Sequence, residues 1–457
     1  IESQYNDATE LRNMKESHYV QNRISDAMSF SATVTPLKGW DIVGEMKVRF
    51  DVEDNSFKRG FPTYEKPDGR LVMNVGTDQG YAYPGMSYLN SKWGSYTHGN
   101  AFNYYLSPNV SSSYTHQWGS HFFKAMAGFQ MELQENSSGY TYKDGLLTDD
   151  IYSFASANGM LYAGDDRTHW ATMGMYAKLN WNYKETYFLE FSGRYDGSSR
   201  FAPGNRWGFF PSIAVGYNIS EEAFFEPLKN VFSNMKIRAS WGLVGNDNIG
   251  GARFVYMPTI NLTGTGYTTG LDGDITYKGP VYSRYGNPEV TWEVGKKVNV
   301  GLDLQLFNSL NLTMDYFHET RTDIFQERGT IPQYLGTAGT KVFGNLAAMK
   351  NQGFDFAADF NKKIGKDWFI SFKGTFTYAH NEITKYDESP KYAFQSKVGQ
   401  SANIPSIMIS DGLFKDPDDV KNSNQQIGGN LSAGDIKYVN ISKLYGYDDD
   451  IVDISDW

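Results

Sequence analysis

Met235-Lys236-Ile237-Arg238-Ala239-Ser240-Trp241-Gly242-Leu243 places an apolar residue at every second position, with Lys, Arg, Ser and Gly between. Successive side chains of an extended strand point to opposite faces, so this stretch predicts a strand with one greasy and one wettable side. The period recurs. Val298, Val300, Leu302, Leu304 and Leu306 alternate with Asn299, Gly301, Asp303 and Gln305. Tyr187, Leu189, Phe191 and Tyr195 alternate with Glu190, Ser192 and Arg194. The same reading covers Ile42–Phe50, Met173–Trp181, Phe354–Phe360 and Trp368–Tyr378. The chain is therefore expected to be all-β and antiparallel.

Turns divide these strands. Short ones fall at 36–39, 116–119, 182–185, 308–309 and 363–366, and a longer connection, 221–234, takes the same place. Between them lie long polar loops, about 52–98, 134–168, 196–206, 244–290, 318–350 and 382–434. Two strands per short turn give roughly 12 strands. Short turns at one end and long loops at the other are the layout of a transmembrane β-barrel, whose strands need about 9–11 residues to cross. Trp40, Trp118, Trp181, Tyr183, Tyr187 and Trp368 sit at or beside the short turns, where aromatic rings would meet lipid headgroups. Residues 1–16 are polar and are expected to form a loop or a short surface helix.

Composition narrows the class. No stretch approaches the roughly 18 apolar residues of a membrane helix, so a helical membrane protein is excluded. Mean hydropathy is −0.51, low enough for a soluble protein, yet a barrel also stays low because only one strand face need be apolar. The 32 Tyr, 30 Phe and 10 Trp suit aromatic belts, and equally a soluble sandwich. With 0 Cys, neither a disulfide framework nor Cys-ligated metal is available. A net charge of −10 argues against a nucleic-acid partner.

One region is more specific. Arg194-Tyr195-Asp196-Gly197-Ser198-Ser199-Arg200-Phe201 leads into Asn205-Arg206-Trp207-Gly208-Phe209-Phe210-Pro211-Ser212, then Gly216-Tyr217-Asn218-Ile219-Ser220-Glu221-Glu222. Lys236 to Asn246, Asn287-Pro288-Glu289-Val290-Thr291-Trp292-Glu293, Asn299-Val300-Gly301-Leu302-Asp303 and Asn351-Gln352-Gly353-Phe354-Asp355 follow in order. From about residue 17 onward the chain resembles the barrel of the SusC/RagA-like TonB-linked outer-membrane proteins of the Bacteroidetes. The resemblance implies a segment of a large barrel, of about 22 strands, in the outer membrane. It implies active import of a nutrient, an oligosaccharide or a peptide. It also implies a SusD-like surface lipoprotein as partner, energy from TonB–ExbB–ExbD, and contact with membrane lipid and lipopolysaccharide. The chain opens on Ile1 without a signal peptide, and no plug domain or TonB box is recognisable. Asn440 to Asp450 departs from the family's acidic loop, and Asp448 to Asp456 shows no alternation. The expectation is that residues 1–457 are an interior barrel segment, with plug, TonB box and final strands outside it.

Chemistry is sparse. There is no HExxH, P-loop or GxSxG, and Gly264 to Gly270 has the wrong final spacing for a dinucleotide fingerprint. No catalytic role and no organic cofactor are expected. Asp416, Asp418 and Asp419, and Asp448, Asp449, Asp450 and Asp453, offer carboxylate oxygens to Ca²⁺, but solvated loops explain them better. Glu190, Arg194, Lys236, Arg238, Asp303 and Asp355 fall on the polar faces and would line a lumen or meet a plug; structural ion pairing is the plainer account. Tyr81, Tyr83, Tyr88, Trp93 and Tyr96 are the candidate substrate contacts, since aromatic faces at a mouth stack on sugars or grip peptides. Packing within the loop would use the same residues. The alternatives are a passive porin or structural barrel, and a soluble carbohydrate-binding or hydrolytic β protein. Substrate identity is not legible.

Overall fold

The computed structural model describes residues 17–60, 94–148, 150–250, 252–270, 275–331, 340–405, 407–426, 431–447 and 451–453, with the backbone of two short strands at 63–65 and 71–73. Residues 1–16 lie outside this set. Twelve long strands follow one another: β1 (Ser17–Leu37), β2 (Trp40–Arg59), β3 (Ser95–Trp118), β4 (His121–Asp144), β5 (Leu161–Tyr183), β6 (Tyr187–Ser198), β7 (Trp207–Asn218), β8 (Phe232–Asn246), β9 (Glu293–Leu306), β10 (Leu310–Glu327), β11 (Phe343–Ile364) and β12 (Trp368–Lys385). They form one sheet whose strand order is the chain order. Every pair of this sheet with a described register is antiparallel. Two compact units are distinguished, residues 1–113 with 128–175, and 114–127 with 176–457.

Each short turn needs backbone that L-residues resist. Gly39, Gly119 and Gly365 have positive φ, and so do Lys184 with Glu185 and Phe307 with Asn308. In the last two turns the N–H of Thr186 bonds to Tyr183 O and that of Ser309 to Leu306 O, both at 3.0 Å. Two central residues with φ near +55° make these type I′ turns, whose twist matches that of the flanking strands. The turns also reach sideways: Asn218 N donates to Thr186 O at 2.8 Å and Asn361 N to Ser309 O at 2.8 Å.

In the first unit the β1–β2 register sets Ile24 opposite Val52, Met28 opposite Val48 and Phe30 opposite Met46. On the other face Ser25 stands opposite Asp51, and its hydroxyl bonds that carboxylate beside Arg23 and Arg49.

In the second unit the register carries one alternation across seven strands. Leu189, Val215, Ala239, Val300, Tyr316, Phe354 and Tyr378 share one row. The row one residue away reads Phe188, Gly216, Arg238, Gly301, Asp315, Asp355 and Thr377. Most large apolar side chains of the first row are solvent-exposed, Tyr316 at 50% and Phe354 at 46%. A water-soluble sandwich would bury this face against a second sheet; nothing in the unit covers it among the described residues.

The expected loops were drawn too long. β2 runs to Arg59, β4 to Asp144, β10 to Glu327, and β11 begins at Phe343. Alternation stops where both faces are wet, but backbone pairing continues, so periodicity under-reads strands that extend past an apolar belt. Within 244–290, strands Thr259–Thr269 and Ile275–Arg284 pair as a separate hairpin.

Candidate functional site

The polar face of the second unit is a charged surface built by parity. Arg238 on β8 offers Nε and Nη2 to Asp303 at 2.7 and 3.0 Å, and Nη2 also reaches Asp315 at 3.1 Å. Gly301 stands between Arg238 and Asp315 in the row, and a Cβ there would lie 2.8 Å from the Arg238 Cζ. The glycine is what lets the guanidinium cross. Lys236 extends its Nζ to 4.2 Å from the Phe188 ring centroid. Lys178 pairs with Glu190 at 2.8 Å. Phe122, Asn180, Glu190, Gly216, Lys236 and Arg238 line one groove on this face.

Of the charges expected here, Lys236, Arg238 and Asp303 are brought together, joined by Asp315, which sequence reading had not singled out. Glu190 pairs with Lys178 instead. Arg194 is held by Asp196 on its own strand, at 2.9 Å, and lies over the Tyr176 ring. Asp355 stands across from Asp315 with no ion pair among the described residues. The signal for Asp315 was present: it sits at the polar parity of Leu310–Tyr316.

The specific segments meet at the opposite end from the turns. Phe201, Phe210, Ile249, Val255, Val290 and Trp292 form a buried cluster. Trp292 donates its Nε1–H to Arg206 O at 2.8 Å, and Asn205 Nδ2 to Pro288 O at 2.8 Å. Asn345 bonds both backbone groups of Thr291, each at 2.9 Å. Ser198 and Arg200 hold Asp247. These residues therefore latch loops to one another, which is a scaffolding role.

Tyr81, Tyr83, Tyr88 and Trp93 lie outside the described residues. Tyr96 is on β3, half-buried, its ring centroid 4.8 Å from that of Phe154. Asp416 caps the helix Pro417–Asn422 by accepting from Asp419 N. Asp419 pairs with Lys437 at 2.9 Å, and that bond, with one from Lys415 N, holds its carboxyl below the usual range. Burial pushes Glu388 up, but bonds from Ser396, Lys397 N and Val398 N outweigh it and lower the carboxyl. Asp448, Asp449 and Asp450 lie outside the described residues. No group of three acidic, His or Cys side chains that would hold a metal occurs among the described residues.

Comparison with known proteins places this geometry. The model of the family described as TonB dependent receptor-like, beta-barrel matches residues 8–451. The chain is 30% identical over 341 residues to the TonB-dependent receptor SusC of Bacteroides thetaiotaomicron, covering 71% of this chain and 32% of that protein. It is 33% identical over 223 residues to the TonB-dependent receptor P39 of Formosa agariphila, covering 48% of this chain and 20% of that one. The chain thus spans a third or less of these relatives' length. The RagAB peptide importer in its closed-closed state superposes with a TM-score of 0.71 at 20% identity, covering 93% of this chain and 44% of that one; this shows the fold.

Proposed function

Because the chain belongs to the TonB-dependent receptor-like β-barrel family, we propose that it forms wall, lumen surface and outward loops of an outer-membrane active importer. The apolar rows face acyl chains, and the charged face of Lys236, Arg238, Asp303 and Asp315 faces the lumen. The cargo is a nutrient, an oligosaccharide or a peptide. A SusD-like surface lipoprotein delivers it, and TonB–ExbB–ExbD supplies energy through a plug domain.

One observation carries the reading: seven neighbouring strands keep one side apolar and exposed, while the adjacent register row on the other side carries Arg238, Asp315 and Asp355. Lipid can solvate the first side and only water or a polar plug the second. The likeness to SusC and to the RagAB importer supports the cargo class and the partner. The charges pair largely with each other, as a surface that must pass cargo without trapping it would require.

The test is uptake by cells expressing the intact receptor, with and without TonB, using labelled oligosaccharide and peptide mixtures. Uptake is expected to vanish without TonB, and the receptor to pull down a lipoprotein. Uptake that persists without TonB would make the protein a passive porin.

A further inference from the structure

Beside the loop 249–255 lie two arginines, Arg253 within it and Arg284 from the neighbouring hairpin, that face no carboxylate among the described residues. Ile249 and Val255 are buried in the hydrophobic cluster at 3% and 1% exposure, so both ends of the loop are pinned. Arg253 turns its Nη1 back to Gly250 O at 3.5 Å. Arg284, at the end of the hairpin strand Ile275–Arg284, gives its Nη2 to Phe254 O at 3.3 Å. Both bonds are long. The Nε of each arginine is shut off from solvent and has no hydrogen-bond partner.

Arg23, Arg49, Arg194, Arg200, Arg238, Arg321 and Arg328 face a carboxylate, and the half-buried Arg206 instead gives its Nε to Phe201 O at 3.0 Å. Arg253 and Arg284 face none among the described residues. A guanidinium drawn partly out of water without a counter-ion carries a desolvation cost that nothing offsets. Burial alone holds Arg284 below the ordinary arginine range. Both side chains reach carbonyls directly beside the buried Ile249 and Val255. With each Nε shut off, the terminal nitrogens Arg253 Nη2 and Arg284 Nη1 are the donors left to meet the oxygens of a carboxylate.

We infer that Arg253 and Arg284 form a binding site for the carboxylate of an acidic ligand, supplied by a uronate-bearing oligosaccharide or an acidic peptide. The inference rests on the loop end being the side where cargo arrives. The binding test needs neither TonB nor a partner protein, so its failure leaves the importer reading standing. Loss of that reading would instead show as TonB-independent uptake.

The experiment is calorimetric titration of the purified intact receptor in detergent with tetragalacturonate and with pentaglutamate. Methyl-esterified tetragalacturonate and pentaglutamine are the neutral counterparts. One acidic probe is expected to bind about tenfold more tightly than its neutral counterpart, since ionised acceptors make the stronger bonds. Which probe binds names the source. R253Q and R284Q should each weaken binding by roughly the same factor, while R328Q, at the separate Asp387 pair, should not. Two results overturn the site: neither acidic probe exceeding its neutral counterpart, or binding unchanged in R253Q with R284Q. Should R284Q fail to fold, R284K carries the test. It keeps the charge but not the guanidinium, and native affinity in it overturns the proposal.

Discussion

Gly301 shows how much one missing side chain can arrange. It lies between Arg238 and Asp315, and its bare Cα leaves the guanidinium free to bridge two carboxylates on two strands. Gly301→Ala is expected to push Arg238 off Asp315 and cost about 1 kcal/mol, the net worth of such a bond. The denaturant midpoint of the refolded receptor reads this, and an unchanged midpoint would remove Gly301 from the account. Asp419 belongs to the same scale. Its carboxyl is lowered by Lys437, so the contact is complete above the ordinary Asp value of about 3.8. It is lost as pH falls through the lowered folded value. Amide exchange of the 410–444 segment should therefore stay slow until below about pH 4 and then rise, whereas D419N should exchange fast at neutral pH. Trp292 could be read as an aromatic in a motif, but not as the donor to Arg206 O, because its partner lies 86 residues away.

Among the elements, strands were legible where one face is apolar. Met235–Leu243 needs no tertiary knowledge, because parity alone assigns every side chain to a face. Arginine at Val300 is expected to destabilise the receptor by about 2–4 kcal/mol, the range for a cation placed near the bilayer midplane. Arginine at the adjacent Asn299 should stay within about 0.5 kcal/mol, as on an ordinary wet surface. Unfolding from lipid vesicles compares the two, and equal penalties would mean that both faces share one environment. The turns make a second case. Lys184 and Glu185 occupy positive φ with full side chains. Replacing them with Asn-Gly is expected to raise stability by up to about 1 kcal/mol, measured as a later unfolding midpoint. The distal strand ends were missed for the opposite reason: Tyr104 on β3 bonds Glu135 on β4 in a region without alternation.

For the molecule as a whole, the apolar belt sets a length. On β12 it runs from Trp368 to Tyr378 and ends at His380. Ten steps at about 3.3 Å, tilted by about 40°, span roughly 25 Å along a membrane normal. Refolding, followed by the gel shift of heated against unheated samples, should be most complete in vesicles of that hydrophobic thickness. It should fall in thicker bilayers, and indifference to thickness would contradict the belt. What the sequence determined by itself was the two-sidedness of the strands that alternate, the sites of the short turns and the family, because these are local patterns of period two, of turn chemistry and of motif order. Only the tertiary structure decided which residues meet. Arg238 finds Asp315 rather than Glu190, and Asn345 clasps Thr291. Register fixes such meetings, and register is set by contacts between strands tens of residues apart, which no local period records.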